Sequence, residues 1–317
     1  MTLRRVLSFC TPLIVAAVSA CSGGSAPAVP PVSSPQSQCA QPAASSYDER
    51  FEVRDDFMRP IAHTHVLASN ATTESAQCLI AHGGSALRYH GGLVQTAPKI
   101  YVVFWGFQTY GDPQGESTRL TAFLNAVGAS QWLNSVTQYY QNGPSHIANS
   151  SGQLAGSWYD DTNPVPARPT DSNVRTEAVR LAQHFGVESS EVAYIVATPT
   201  KHSIHGFPNN FCAYHGDALG GHVPYTNLPY QSDAGQYCGA NSVNRGAAGK
   251  IDGVTIVGGH ELAETQTDPT GYGWYDGFGN ENGDKCAWRN LQNTSFGSFG
   301  TFPTQPLWSN TPWGCLQ

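Results

Sequence analysis

The segment that most constrains the fold of this chain is residues 252–269, DGVTIVGGHELAETQTDP. Its pattern predicts a helix from about Gly253 to Thr267, because Asp252 is a suitable N-terminal cap and Pro269 cannot continue a helix. The β-branched run VTIV leaves a strand as the alternative for the first turn. The fold must therefore accommodate a helix of about four turns here.

The predicted helix carries a metal-binding pattern. His260 and Glu264 are four residues apart, so they lie on one face, one turn above the other, and both residue types bind zinc. Glu261 follows His260 as the general base does in the His-Glu-x-x-His motif of zinc proteases. Glu264 replaces the second histidine of that motif, and its negative charge makes the metal a weaker Lewis acid. The sequence therefore predicts a metal site with His260 and Glu264 as ligands and Glu261 as the base.

Two glycines, Gly258 and Gly259, come directly before His260. Each costs about 1 kcal/mol relative to alanine inside a helix. This cost is easier to understand if small residues are needed there, so we expect another backbone or a substrate to come close.

The third metal ligand has several candidates. Asp268 lies about 12 Å along the helix axis from the first ligand, and it reaches the metal only if the chain turns back. Residues 270–288, TGYGWYDGFGNENGDKCAW, are rich in acids, asparagine, glycine and aromatics, which is typical of a site loop. Glu281 or Asp284 from this loop would complete the site, and His215 is a further candidate. The alternative is a loop stabilised by calcium or by hydrogen bonds.

The N-terminus has the pattern of an export signal. MTLRR supplies positive charge, a short apolar run follows, and VSAC ends at Cys21, which predicts cleavage before this cysteine. The site is similar to a bacterial lipobox, so Cys21 is expected to carry a lipid anchor; Ser22 then favours the outer membrane, and plain secretion is the alternative. The predicted organisation is a signal peptide at 1–20, an anchor and Pro/Ser/Ala-rich tether at 21–46, an N-terminal arm at 47–95 and a globular domain at 96–317.

The cysteine count agrees with export. Eight cysteines minus Cys10 in the signal and Cys21 leave six, and six exported cysteines most simply form three disulfides. None has the Cys-x-x-Cys spacing of a zinc knuckle. Pairing of neighbours along the chain is the simplest expectation: Cys39–Cys78, Cys212–Cys238 and Cys286–Cys315.

Strand and helix patterns alternate in the globular part. KIYVVFWG (99–106) and EVAYIVATP (191–199) are typical of buried strands. Residues 116–141 have apolar residues at helical spacing and predict two helices broken near Gly128. These patterns predict an α/β (α+β) fold with a mixed sheet, moderately rich in loops.

A further helix is predicted over residues 170–186, TDSNVRTEAVRLAQHFG. Asp171 or Ser172 is the expected cap, and Gly186 is expected to end the helix.

The composition excludes some classes of protein. With 40% hydrophobic and 12% charged residues in 317, the chain can bury a good core. The formal net charge of −7 argues against nucleic acid as a partner, because phosphate binding needs a basic face.

Five stretches between Lys99 and the C-terminus also carry a resemblance to a known family. They are IYVVFWGF (100–107), FCAYHG (211–216), KIDGVTIVGGHELAETQTDPTGYGWYDG (250–277), CAW (286–288) and QPLWSN with the later GC (305–315). Taken in order, they resemble the exordium / phosphate-induced protein 1 family of plant cell walls, and the chain is identified as a bacterial member. The resemblance implies an extracellular, growth-related protein without a settled reaction. The local likeness of the 252–269 helix to metallopeptidases implies a single zincin-like domain.

Two functional hypotheses follow. The first is an exported, lipid-anchored, zinc-dependent hydrolase, most simply a monomeric peptidase acting on proteins or peptides of the cell envelope. The second is a non-catalytic cell-surface protein of exordium type, in which the acids hold calcium or pack the loop and Trp274 and Tyr275 contact a glycan or a protein. A serine hydrolase is disfavoured because the Gly-x-Ser-x-Gly pattern is missing, and a cysteine hydrolase because the thiols are expected to be paired.

Overall fold

The computed structural model describes residues 57–58 and 85–317. The predicted signal peptide, the lipid anchor at Cys21, the tether and the Cys39–Cys78 disulfide lie outside the described residues and stay predictions. No helix within the described residues is long and apolar enough to cross a membrane.

A mixed six-stranded sheet lies at the centre of the described residues. The strands, including those of small two-stranded sheets, are β1 (Phe57–Met58), β2 (Arg88–Tyr89), β3 (Lys99–Trp105), β4 (Tyr140–Gln141), β5 (Ser145–His146), β6 (Leu154–Asp160), β7 (Val192–Ala197), β8 (Ala213–Ala218), β9 (Val223–Leu228), β10 (Trp274–Tyr275), β11 (Gln292–Ser295), β12 (Thr301–Thr304), β13 (Leu307–Ser309) and β14 (Gly314–Leu316). The six-stranded sheet has the order β6-β3-β7-β9-β8-β1. The first four strands are parallel, whereas β8 and β1 run antiparallel to their neighbours.

Alternation along β3 explains why the sheet is covered on both faces. Ile100, Val102 and Phe104 pack into one hydrophobic core, whereas Val103 and Trp105 pack into another. Successive side chains of a strand point to opposite faces, so an apolar run without polar interruption buries both.

Helices cover the two faces. They are α1 (Phe107–Tyr110), α2 (Glu116–Val127), α3 (Asp171–Phe185), α4 (Gly246–Gly249) and α5 (Asp252–Thr267), with 3-10 helices at Trp132–Gln138, Gln231–Cys238, Asp284–Cys286 and Gly297–Phe299. Helix α3 packs on the face of Val103, and α2 and α5 pack on the face of Ile100. The predicted α/β class with a mixed sheet is therefore confirmed, as are the two buried strands β3 and β7.

The predicted helix over residues 253–267 is confirmed as α5, and the strand alternative for its first turn is wrong. The helix ends before Pro269, as expected. The predicted cap is wrong, however: the Asp252 carboxylate accepts hydrogen bonds from the backbone N–H groups of Val243 and Asn244 instead of from its own helix. Contacts with the preceding loop, and not the capping of α5, therefore determine the orientation of the Asp252 side chain.

The cap of α3 also differs from the prediction. Thr170, one residue before the expected caps Asp171 and Ser172, forms a capping box with Asn173. Its hydroxyl accepts from the backbone of Asn173, while the Asn173 side chain accepts from the backbone of Thr170. Gly186 ends the helix in the left-handed region, as predicted.

The break predicted near Gly128 is present. Helix α2 ends at Val127, and the second predicted helix is the 3-10 helix Trp132–Gln138.

The space beside Gly258 and Gly259 is filled by apolar side chains. A Cβ atom on Gly259 would lie 3.0 Å from the Trp132 ring and 3.1 Å from Phe123, and one on Gly258 would lie 3.3 Å from Leu120. The expectation of a backbone or a substrate at these glycines is therefore wrong. The two small residues let α5 pack closely against α2 and the 3-10 helix that follows it.

Two predicted disulfides are confirmed, Cys212–Cys238 and Cys286–Cys315. The first joins the residue before β8 to the end of a 3-10 helix, and the second joins the 270–288 loop to β14. Structural disulfides persist in oxidising compartments, so the pair favours an extracellular protein.

Candidate metal centre

Helix α5 carries its titratable side chains into the protein interior. All of its 16 residues are buried, and the exposed fraction is 0% for His260 and Glu261 and 1% for Glu264. Histidine and glutamate on a helix more commonly form a solvated face. Their burial here costs free energy unless partners or a metal compensate it, so this arrangement is typical of a site.

The first set of potential ligands, the His260 group, consists of His260, Glu264 and Asp284. Nε2 of His260 lies 3.1 Å from Oε2 of Glu264 and 3.6 Å from Oδ1 of Asp284. Two ligand atoms of a tetrahedral zinc ion are about 3.3 Å apart, given metal–ligand distances of about 2.0–2.1 Å. The spacing of the His260 group therefore fits a single metal ion.

The second set, the His215 group, consists of His215, Glu261 and Glu264. Nε2 of His215 lies 3.8 Å from Oε2 of Glu264 and 3.3 Å from Oε2 of Glu281. The ligand atoms of the three group members lie within 4.8 Å of one another. The two groups share Glu264, so one carboxylate lies between two imidazoles.

Strand pairing explains how His215 reaches helix α5. His215 on β8 pairs with Thr226 on β9, and side chains directly opposite each other point to the same face. The Thr226 hydroxyl lies 3.5 Å from that of Thr265 on α5. The neighbouring residue Tyr214 faces the other side and donates to Asp171 of α3.

The loop that carries Glu281 and Asp284 is held by its own hydrogen bonds. The carboxylate of Asp276 accepts from the backbone of Phe278 and Asn280 and forms an ion pair with Lys285 at 3.2 Å. These contacts lower the pKa of Asp276 despite its burial, which acts in the opposite direction. Asp276 therefore fixes the shape of the loop through hydrogen bonds. This agrees with the alternative that hydrogen bonds stabilise the loop.

The same loop is tied to α5 and to the segment before β13. The Asn282 side chain donates to the carbonyl of Ala263 in α5. The backbone N–H of Trp308 donates to the Asn282 carbonyl, and the Gln305 side chain donates to the Gly283 carbonyl. The backbone N–H of Asp284 donates to Oε1 of Glu264. These contacts bring the loop acids to the helix.

The histidines are suited to metal binding. Burial lowers the pKa of His260, although the charge of Asp284 and the nearby Gln305 side chain oppose this shift. A lowered pKa keeps the imidazole neutral, which is the form that binds metal. Nε2 of His260 faces the carboxylates of Glu264 and Asp284, and Nε2 of His215 makes no hydrogen bond.

The structure brings five of the residues singled out from sequence together with His215, namely His260, Glu261, Glu264, Glu281 and Asp284. Asp268 is not in either group among the described residues; its carboxylate accepts from the N–H of Gly273, a donor in the following loop. Trp274 is buried and donates to the carbonyl of Tyr140, whereas Tyr272 and Phe278 are each 66% exposed. Of the expected pair, Trp274 is thus buried and Tyr275 is half-buried, while Tyr272 and Phe278 are the most exposed aromatics of this loop.

Two contributors do not follow from the sequence motif. His215 is only a further candidate there, although a histidine inside FCAYHG, which forms a strand, is a signal for a buried polar position. Gly283 is not among the sequence candidates. A Cβ atom at this position would lie 2.8 Å from Nδ1 of His260, so the backbone of the loop lies directly against the ring.

No protein-family model matches this chain. Over 224 residues it is 27% identical to the protein described as Protein EXORDIUM-like 5 of Arabidopsis thaliana, covering 60% of each chain. The chain thus spans about 60% of the length of this curated relative. The similarity supports an exordium-like family.

Proposed function

We propose that this chain is an exordium-like extracellular protein whose α5 centre binds a divalent metal and hydrolyses peptide bonds. The observation that carries the proposal is the His260 group, where three potential zinc ligands, one imidazole and two carboxylates, lie at metal-ligand spacing. An export route through a signal peptide and a lipid anchor at Cys21 belongs to the same proposal.

Each residue has a distinct role. His260, Glu264 and Asp284 hold the metal, which supplies Lewis acidity when bound. Glu261 takes a proton from the attacking water and passes it to the amine that leaves. Its carboxylate belongs to the His215 group and is therefore near the metal ligands without being part of the His260 group. Zinc is the metal expected for this mixture of imidazole and carboxylate, with calcium as the alternative.

Substrate access would be from the side of Asp284. Its side chain is 18% exposed, whereas those of His260 and Glu264 are 0% and 1% exposed. Tyr272 and Phe278 are exposed on the same loop, and their rings would contact apolar side chains of a peptide. The chain would act on envelope or extracellular proteins as a monomer.

A structural metal without catalysis is the second candidate. The near-complete burial of His215, His260 and Glu264 favours it, because a structural site has all its positions closed to solvent. Its similarity to an exordium-like protein also favours this candidate. The chain would then be a cell-surface protein whose loop contacts a glycan or a protein.

The experiment compares four proteins for metal content and for digestion of a broad peptide library. Wild type should bind metal and cleave peptides. Glu261→Gln should keep the metal of the His260 group and lose on the order of 10²-fold or more of the cleavage rate. Glu264→Ala should lose metal, and Glu188→Gln, an exposed glutamate, is the matched control. Wild-type cleavage that is unchanged in Glu261→Gln contradicts the proposal, and metal binding without any cleavage favours the structural site.

A further inference from the structure

We infer that the centre holds two metal ions, with Glu264 as the bridging carboxylate and a second ion bound by His215 and Glu281. This inference rests on the metal centre of the proposed function and extends it. It assigns a role to His215 and Glu281, which the His260 group does not use.

The first observation is the state of His215. Its side chain is 2% exposed, and its Nε2 atom makes no hydrogen bond. Leaving a buried polar atom without a hydrogen bond costs free energy. Instead of a hydrogen-bond partner, this nitrogen faces the carboxylates of Glu281 at 3.3 Å and Glu264 at 3.8 Å. A cation between this nitrogen and the Glu281 carboxylate would give the nitrogen a ligand bond.

The second observation is spacing. The 3.3 Å between His215 and Glu281 equals the distance of about 3.3 Å expected between two ligand atoms of a tetrahedral zinc ion. The 3.1 Å between His260 and Glu264 in the other group is close to the same distance. The two histidine contacts with carboxylates are thus both compatible with metal binding.

The third observation is the sharing of one carboxylate. Oε2 of Glu264 faces both His260 and His215, whereas Oε1 accepts the N–H of Asp284. A glutamate between two imidazoles is the arrangement that lets one side chain contact two ions. In hydrolytic sites with two metals, the ions are about 3.5–4 Å apart, a spacing that one shared carboxylate would allow.

The second ion changes how Glu261 acts. The Glu261 carboxylate lies with His215 and Glu264, so the water from which it takes a proton would lie beside the second ion. Removal of the second ion should therefore lower hydrolysis even when the first ion stays bound.

The test is zinc stoichiometry of the full mature chain after chelator treatment, zinc loading and desalting. Wild type should hold two equivalents, His215→Ala one, and Glu264→Ala less than one. His222→Ala is the matched control, since His222 is exposed in the turn between β8 and β9, and it should keep two equivalents. One equivalent in both wild type and His215→Ala would overturn the inference.

If His215→Ala fails to fold, a second measurement on the wild type still tests the inference. Wild type loaded with Mn²⁺ should give the electron paramagnetic resonance spectrum of an exchange-coupled pair. The hyperfine pattern of isolated Mn²⁺ at full loading would overturn the bridge. These outcomes are independent of peptide hydrolysis: two coupled ions without cleavage would contradict only the catalytic proposal, and cleavage with one ion would contradict only the second site.

Discussion

The backbone of Gly283 lies against the His260 ring so closely that an added Cβ atom would be 2.8 Å from Nδ1. The same atom would be 2.9 Å from Oε1 of Glu264. Both contacts are shorter than a side chain can make without displacing its neighbours. Gly283 is thus the point at which the loop can approach two metal ligands of α5.

Gly283→Ala should therefore weaken metal binding. The new methyl group displaces His260 or moves the loop with Asp284, so we expect a loss of at least about tenfold in affinity, which is about 1.4 kcal/mol. Zinc titration with a competing chelator measures the change. Gly277→Ala in the same loop is the control, since nothing lies within 4 Å of its Cβ position. Equal affinity of the two variants would contradict this role of Gly283.

Gly259→Ala should destabilise the fold although alanine favours a helix by about 1 kcal/mol. Its methyl group would lie 3.0 Å from Trp132 and 3.1 Å from Phe123, and overpacking of this kind typically costs about 1–3 kcal/mol. Gly258→Ala, with its nearest contact at 3.3 Å, should be less harmful. Urea unfolding of the two variants measures the difference, and a Gly258 variant that is the less stable of the two would argue against this packing.

The Cys286–Cys315 disulfide should stabilise both the fold and the metal centre. It closes a sequence separation of 29 residues, which corresponds to about 3–4 kcal/mol in the chain-entropy model. Cys286 and Asp284 share one 3-10 helix, so the double variant to alanine should also bind metal more weakly. Thermal unfolding with and without zinc measures both effects. A change in unfolding free energy below about 1 kcal/mol would mean that this bond contributes little.

Glu116 should make stability depend on pH. Burial raises its pKa to about 7, although hydrogen bonds from Ser232 and Gln231 oppose the shift. The folded state therefore binds the proton more tightly than the unfolded chain, in which the pKa of this carboxyl is near its ordinary value of 4.5. The free energy of unfolding should fall as pH rises from about 4.5 to about 7, by at most about 3 kcal/mol from this group.

Glu116→Gln keeps an oxygen that can accept a hydrogen bond and removes the titration. Its stability should therefore fall less than that of wild type between about pH 5 and pH 7.5, as measured by urea unfolding. The same fall in both proteins would contradict the role of Glu116.

The sequence predicts those elements that local patterns determine. Strand β3 follows from its apolar run, and helix α5 follows from its spacing and from Pro269. The caps could not be predicted as well, because Asp252 hydrogen bonds with a loop that is adjacent only in the fold. Position 259 needs a glycine because the Trp132 ring, which is far away in sequence, leaves too little room for a Cβ atom.

Only part of the candidate site can be predicted from the sequence, because local patterns do not contain the contacts that the fold creates between distant residues. His260 and Glu264 share a helix face, which spacing alone indicates. His215 reaches them because β8 lies at the antiparallel side of the sheet, beside α5, and no local pattern contains this information. Gly283 depends on the same assembly, since its role is defined by the distance to His260.

The most direct test of the metal centre is anomalous X-ray scattering from crystals of the zinc-loaded protein, recorded at the zinc absorption edge. We expect an anomalous peak within bonding distance of Glu264 and His260, and a second peak within bonding distance of Glu264 and His215. The absence of any peak within bonding distance of Glu264 in fully loaded crystals would show that this buried glutamate is not a metal ligand.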